Sequence, residues 1–383
     1  MSVTAPAGFT ASGVAAGIKE SGGRDLALVV NEGPRRAAAG VFTRNRVKAA
    51  PVLWSQQVLK GGLVSAVVLN SGGANACTGP EGFQDSHATA ETAADVLGLD
   101  AAEVAVASTG LIGARLPMDK VLPGVAEAAG ALSRHGGEKA ALAIKTTDTV
   151  HKTAVAERDG WSVGGMAKGA GMLAPSLATM LVVLTTDADL EPAELDKALK
   201  EATRTTFERV DSDGCLSTND TVLLLASGAS GRTPDPAEFA TAVHEVCADL
   251  ARQLVSDAEG ASKDIRIEVV GAATEEDAVE VGRTVARNAL LKCAVHGEDP
   301  NWGRVLSAIG TTSAAFEPDR VNVAVNGVWV CRGGAIGEDR ELVDMRFREV
   351  RITADLSEGN SSAVFWTNDL TADYVHENSA YAS

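Results

Sequence analysis

The stretch Gly164–Leu184, GGMAKGAGMLAPSLATMLVVL, reads as a glycine-rich loop with one cation, Lys168, followed by Pro175, Ala178 and Thr179, and then the apolar strand Met180–Leu184. A threonine opening a strand is ordinary, because β-branched side chains suit the pleated surface. The loop ahead of it gives this one another use. Glycines at 164, 165, 169 and 171 tolerate backbone angles that other residues resist, and a strained peptide ahead of a hydroxyl is what an N-to-O acyl shift needs. Attack by the Thr179 hydroxyl on the Ala178 carbonyl gives an ester that water cleaves. The product is a new N-terminal threonine, whose α-amine, with an unperturbed pKa of about 8, takes the proton from its own hydroxyl. Phosphate binding is the rival reading of such a loop, but the order is wrong. Lys168 is followed by Gly169 and then a strand, where a phosphate loop needs Gly-Lys-Ser/Thr opening a helix.

Working outward, apolar runs bounded by Gly, Asn or Asp predict strands at Leu26–Val30, Leu63–Leu69, Val104–Ala107, Met180–Leu184, Val222–Leu225, Ile265–Val270 and Val321–Val325. Several are apolar on both faces, as in sheets covered on both sides. Between them, Phe239, Val243, Val246, Cys247, Leu250 and Leu254 form one helical stripe. Asp235, Pro236 and Glu238 mark its start as cap, first helical residue and capping box. A second helix is expected to start at Asp189 and run through Leu195 and Leu199. No repeat, low-complexity tract or long linker marks a domain boundary.

Composition narrows the function classes. With 45% hydrophobic and only 4% aromatic residues, the core must be built from Val, Leu, Ile and Ala between regular elements, which favours a layered α/β architecture. A net charge of −17 repels phosphate backbones and anionic membranes, so neither nucleic acid nor membrane is expected as a partner; an acidic field could draw in a cationic amino acid. The five cysteines have no CxxC pair and are expected to be buried, reduced thiols. The N-terminus lacks a basic start with an apolar run behind it, and no run of about 18 apolar residues occurs. A soluble, cytoplasmic protein is the expectation. His296, Glu298 and Asp299 look metal-capable, but Asp-Pro-Asn-Trp-Gly reads first as a turn, and no metal is expected. Asn70–Gly79 reads as a loop after a buried strand, and Asn219 with Asp220 as a turn before one.

The run KGAGMLAPSLATML, Lys168–Leu181, resembles the ornithine acetyltransferase, or glutamate N-acetyltransferase, family of arginine biosynthesis, the ArgJ family. NSGGANACTG at 70–79, STGLIG at 108–113, TTDT at 146–149, STNDT at 217–221, DAEGASK at 257–263, HGEDPNWGR at 296–304 and the terminal NSAYAS extend the resemblance along the chain. Gly73 departs from the pattern, since many relatives carry Asn there.

The resemblance implies an α/β fold, an αββα four-layer sandwich of the N-terminal-nucleophile-like DmpA/ArgJ type with a smaller C-terminal α/β lobe. It implies a precursor cut between Ala178 and Thr179 into an α chain, 1–178, and a β chain, 179–383, that share one core and assemble as an α2β2 heterotetramer. Acetyl transfer then runs by a ping-pong route through acetylated Thr179, from N-acetylornithine to glutamate, with the oxyanion held by Thr109 and Gly110. Thr146, Lys168, Thr179, Glu259, Asn378 and Ser383 are the implied substrate contacts. No cofactor is implied, although some members also take acetyl-CoA as a substrate. A self-cleaving amidohydrolase or aminopeptidase of related fold is the alternative.

Overall fold

The computed structural model describes residues 2–174 and 180–380. Ala178, Thr179 and Ser383 lie outside them. The chain packs as two compact units, the first made of residues 1–208 and 215–254, the second of 209–214 and 255–382. The expected cut at 178/179 falls inside the first unit in sequence.

The first unit holds β1 (Phe9–Val14), β2 (Leu26–Asn31), β3 (Ala37–Phe42), α1 (Ala50–Val58), β4 (Ala66–Ser71), α2 (Gly79–Leu97), β5 (Val104–Thr109), α3 (Met118–Gly130), α4 (Gly137–Ala143), β6 (Lys152–Arg158), β7 (Trp161–Lys168), β8 (Leu181–Thr186), α5 (Pro192–Thr205), β9 (Thr221–Ala226) and most of α6 (Pro236–Ser256). Two sheets form, of order β1-β2-β4-β5 and β3-β9-β8-β7-β6. Every residue of β2, β4, β5, β8 and β9 is buried, as their two-sided apolar runs require. Their inner faces meet in one core, where Val29, Val67, Leu69 and Ala107 of the first sheet join Met166, Leu181, Val183 and Leu223 of the second. The other face of the first sheet packs Leu28, Val68 and Val106 against Ala90, Ala94, Val121 and Val125 of α2 and α3. On the far face of the second sheet lie α5, against β3 and β9, and the stripe of α6, whose Val246 and Leu250 approach Gly165. The layers therefore run helix, sheet, sheet, helix, as expected.

The second unit is the smaller α/β lobe. It comprises β10 (Asp264–Ala272), α7 (Glu275–Ala286), α8 (Ala289–His296), α9 (Trp302–Ile309), β11 (Asn322–Val325), β12 (Val328–Arg332), β13 (Ala335–Ile336), β14 (Glu349–Asp355), β15 (Ser361–Asn368) and α10 (Ala372–Ala380), with a sheet of order β13-β12-β11-β14-β10-β15. Ile267, Val281, Val285, Val305, Ile352 and Phe365 close its own core. Among the described residues, no helix is long and apolar enough to cross a membrane.

Four expectations need correcting. Gly164 and Gly165 are strand residues of β7, not loop. A Cβ at Gly164 would sit 2.4 Å from the Ser2 carbonyl oxygen, and one at Gly165 would press on Leu184 at 2.8 Å, so close packing and not turn geometry requires glycine there. The helix placed at Asp189 starts at Pro192, because Asp189 is taken up by Arg35 at 2.8 Å while the Glu194 carboxylate caps the Glu191 amide at 2.9 Å. Only Cys247 and Cys331 are buried; Cys77, Cys215 and Cys293 are exposed. Their loop and helix-edge positions carry no apolar periodicity that would turn them inward. Asn219 and Asp220 do more than shape a turn, as the site shows.

Candidate active site

The site is built where strands of the two sheets of the first unit end. β4 and β5 pair in parallel, Ser71 opposite Thr109, so the loops after them leave side by side. The Gly73 amide donates to the Thr109 carbonyl at 3.0 Å. Gly110 has φ +133°, and a Cβ there would lie 2.5 Å from the Gly73 nitrogen and 2.7 Å from the Gly72 carbonyl carbon. Only glycine fits that backbone contact. The departure at Gly73 thus sits against the expected oxyanion loop.

Facing it, β7 ends at Lys168, whose Nζ donates to the Thr109 hydroxyl oxygen at 3.2 Å. Both side chains are buried, Thr109 being 2% and Lys168 1% exposed. A hydroxyl that accepts from an ammonium keeps its own proton to give elsewhere.

Asp148, in the turn before β6, gathers the surrounding groups. Its Oδ1 accepts from Lys152 Nζ and from the Gly169 amide, both at 2.7 Å, and its Oδ2 accepts from the Thr146 amide at 2.9 Å. Burial works against its charge, but Lys168 and Lys152 outweigh burial and hold the carboxyl well below the usual carboxylate range. Lys19 joins the same corner from a loop tied down by Asp25, which accepts the amides of Ala16, Ile18 and Lys19. Burial, and after it the nearby Lys168 and Lys145, pull the Lys19 ammonium down against the opposing pull of Asp25. A chain of net charge −17 thus carries a local cationic corner beside Thr109. That corner suits a carboxylate ligand, where the overall charge had pointed to a cationic one.

The Asn219 amide group donates to the carbonyls of Ala74 at 2.6 Å and Ser108 at 2.8 Å. Asp220, fully buried, accepts the Met180 amide at 3.2 Å. These two residues tie the expected oxyanion strand and the chain after residue 179 to the start of β9.

In the second unit, Glu259 Oε2 accepts from Asn378 Nδ2 at 3.0 Å. The turn that carries Glu259 packs tightly on the start of α10: the Gly260 carbonyl accepts from the Thr371 hydroxyl at 2.7 Å, and a Cβ on Gly260 would lie 2.2 Å from the Tyr374 nitrogen. Of the expected site residues, then, the structure joins Thr109, Gly110 and Lys168, links Thr146 to them through Asp148, and pairs Glu259 with Asn378. His296, Glu298 and Asp299 are committed to Asp369, Lys263 and Arg340. Asp148, Lys152 and Lys19 were missed in sequence, and only the TTDT motif pointed near them.

The ArgJ family model matches residues 10–383. The chain belongs to the ArgJ family. It is 78% identical over 383 residues, covering all of both chains, to the arginine biosynthesis bifunctional protein ArgJ of Streptomyces coelicolor. To the protein of that name from Mycobacterium leprae it is 59% identical, with all of this chain and 96% of the relative covered. A solved ornithine acetyltransferase from Mycobacterium tuberculosis, complexed with ornithine, is 63% identical over 47% of this chain and 96% of that one, with a TM-score of 0.45. The ArgJ motifs at 70–79, 108–113, 146–149 and 217–221 are thus the segments that meet around Thr109 and Lys168.

Proposed function

We propose that this ArgJ-family chain is a glutamate N-acetyltransferase of arginine biosynthesis that cuts itself between Ala178 and Thr179 and moves an acetyl group from N-acetylornithine to glutamate. The observation that carries the reading is the buried Lys168–Thr109 contact at 3.2 Å beside the glycine-only loop at Gly110. It gives a hydroxyl donor, a backbone amide and a cation next to one another.

In the first half-reaction the Thr179 hydroxyl adds to the acetyl carbonyl. Its proton passes to the α-amine of Thr179 and from there to the ornithine nitrogen as that C–N bond breaks, leaving acetyl-Thr179. Glutamate nitrogen attacks in the second half-reaction, and Thr179 Oγ leaves with the proton. Each tetrahedral oxyanion is met by the Thr109 O–H and the Gly110 N–H, donors of this kind being worth about 3 kcal/mol apiece. Lys168 keeps the Thr109 proton available and favours the negative charge.

Both amino acids bring an α-carboxylate, which the Lys19, Lys145 and Lys168 corner suits. Thr146, Lys168, Thr179, Glu259, Asn378 and Ser383 are the proposed substrate contacts, with Glu259 suited to an ammonium. The α chain, 1–178, and the β chain, 179–383, are proposed to stay together in one core, to assemble as α2β2 and to work in the cytoplasm. Acetyl-CoA is a second proposed donor, in keeping with the word bifunctional in the relatives' names.

Purified wild-type protein should run as two bands on a denaturing gel, and Thr179→Ala as one, without activity. Ornithine release from N-acetylornithine should require glutamate; release at full rate without it would make the enzyme a hydrolase instead.

A further inference from the structure

The motif STNDT at 217–221 has no role in the reaction just described, yet its two central side chains are spent on backbone groups at its two working ends. Asn219 is 4% exposed and has every polar group satisfied: Oδ1 accepts from the Thr218 hydroxyl at 2.6 Å, and Nδ2 donates to the Ala74 and Ser108 carbonyls. The Ser108 carbonyl belongs to the peptide that leads into Thr109. Asp220 is 0% exposed, and its Oδ1 accepts from the Met180 amide, the group one peptide past Thr179. The Thr221 amide returns a bond to the Met180 carbonyl at 3.1 Å, so Met180 is gripped on both sides. The second carboxyl oxygen of Asp220, Oδ2, has no hydrogen-bond partner among the described residues.

We propose that Asn219 and Asp220 are positioning residues for acyl transfer: one dipeptide fixes the Ser108–Thr109 peptide with one side chain and the Met180 amide with the next. The spacing between oxyanion donor and nucleophile is thereby set by adjacent residues of a single rigid strand entry. Reacting groups must be held to a few tenths of an ångström, and misplacement of about 1 Å costs on the order of a hundredfold in rate. A side chain joined to β9, which pairs in parallel with β8 from Leu181 onward, holds that spacing far better than a loop does. Burial also pushes the Asp220 carboxyl well above its usual range, against the weaker opposing pull of the Met180 amide, Ser217, Lys168 and Thr43.

This inference rests on Thr179 being the nucleophile. It is tested by following self-cleavage on denaturing gels and acetyl transfer from N-acetylornithine to glutamate in full-length Asp220→Ala, Asp220→Asn and Asn219→Ala, with thermal melts alongside. Asp220→Ala should slow cleavage by about tenfold or more, and Asp220→Asn, whose amide oxygen still accepts from Met180, should restore it to within about threefold of wild type. Asn219→Ala should lower kcat by about tenfold or more with KM within about twofold, the pattern of an interaction that matters in the transition state. Asp220→Ala cleaving at the wild-type rate would overturn the proposal. So would Asn219→Ala losing only melting temperature, or raising KM with kcat intact. Failure of wild type to cleave, or cleavage in Thr179→Ala, would instead refute the nucleophile reading itself.

Discussion

Two buried carboxyls hold the chain on either side of residues 175–179, and their surroundings push their pKa values in opposite directions. Asp148 grips the Gly169 amide before the segment, and the cations around it hold its pKa down; Asp220 grips the Met180 amide after it, and burial pushes its pKa up. Burial opposes the charge in both. What differs is the company: Asp148 has the Lys152 ammonium at 2.7 Å and Lys168 close by, whereas Asp220 has hydroxyls, one amide and a weaker influence from Lys168. The cations stand on the Asp148 side, where the proposed substrate carboxylate and oxyanion would need them, and Asp220 feels them more weakly.

The comparison breaks most sharply under one substitution made twice. Asp148→Asn removes a buried counter-charge from Lys152, whose side chain is 0% exposed, and breaking a buried ion pair by removing one partner costs about 3–5 kcal/mol. Asp220→Asn removes a charge that burial already disfavours and keeps an oxygen to accept the Met180 amide, so it should stay within about 1 kcal/mol of wild type. Urea denaturation of both would decide. Equal losses would mean that both carboxyls carry charge.

Lys152→Met sharpens the point from the cation's side. Asp148 would keep Lys168 and the amides of Gly169 and Thr146, so the loss should be about 1.5–3 kcal/mol, the value of a charged hydrogen bond, and smaller than for Asp148→Asn. A larger loss from Lys152→Met would show that Asp148 depends on that one lysine.

Little of this contrast could be read from the residues alone, and the reason is physical. The layers were legible because β2, β4, β5, β8 and β9 are apolar on both faces, and that pattern has few three-dimensional solutions. The α6 stripe and its Asp235 cap were legible too; the Ala237 amide does donate to Asp235 at 2.9 Å. Thr109, Gly110, Thr146 and Lys168 came from motif resemblance, and spacing alone would have left Ser-Thr-Gly a turn. Asp148, Lys19 and Asp220 stayed hidden because a carboxylate or an ammonium in sequence looks the same whether solvated or buried. Burial is decided by partners distant in the chain, such as Gly169 for Asp148. The glycines of β7 were misread for the same reason, since the backbone that excludes a Cβ at Gly164 belongs to Ser2.

The smallest effect expected is the dependence of stability on pH, where the two carboxyls have opposite signs. Asp148 has a lowered folded pKa, so its contribution is present above the ordinary carboxylate pKa of about 4 and is lost as pH falls below it. Asp220 has a raised folded pKa, so its contribution is fully present below about pH 4 and is lost as pH rises through the folded value. Relative to wild type, Asp148→Asn should flatten the acid limb of a stability–pH curve. Asp220→Asn should leave that limb intact and gain on wild type as pH rises above about 4. An acid limb that flattens in Asp220→Asn would show that the fold lowers this carboxyl's pKa, and the contrast with Asp148 would then have to be given up.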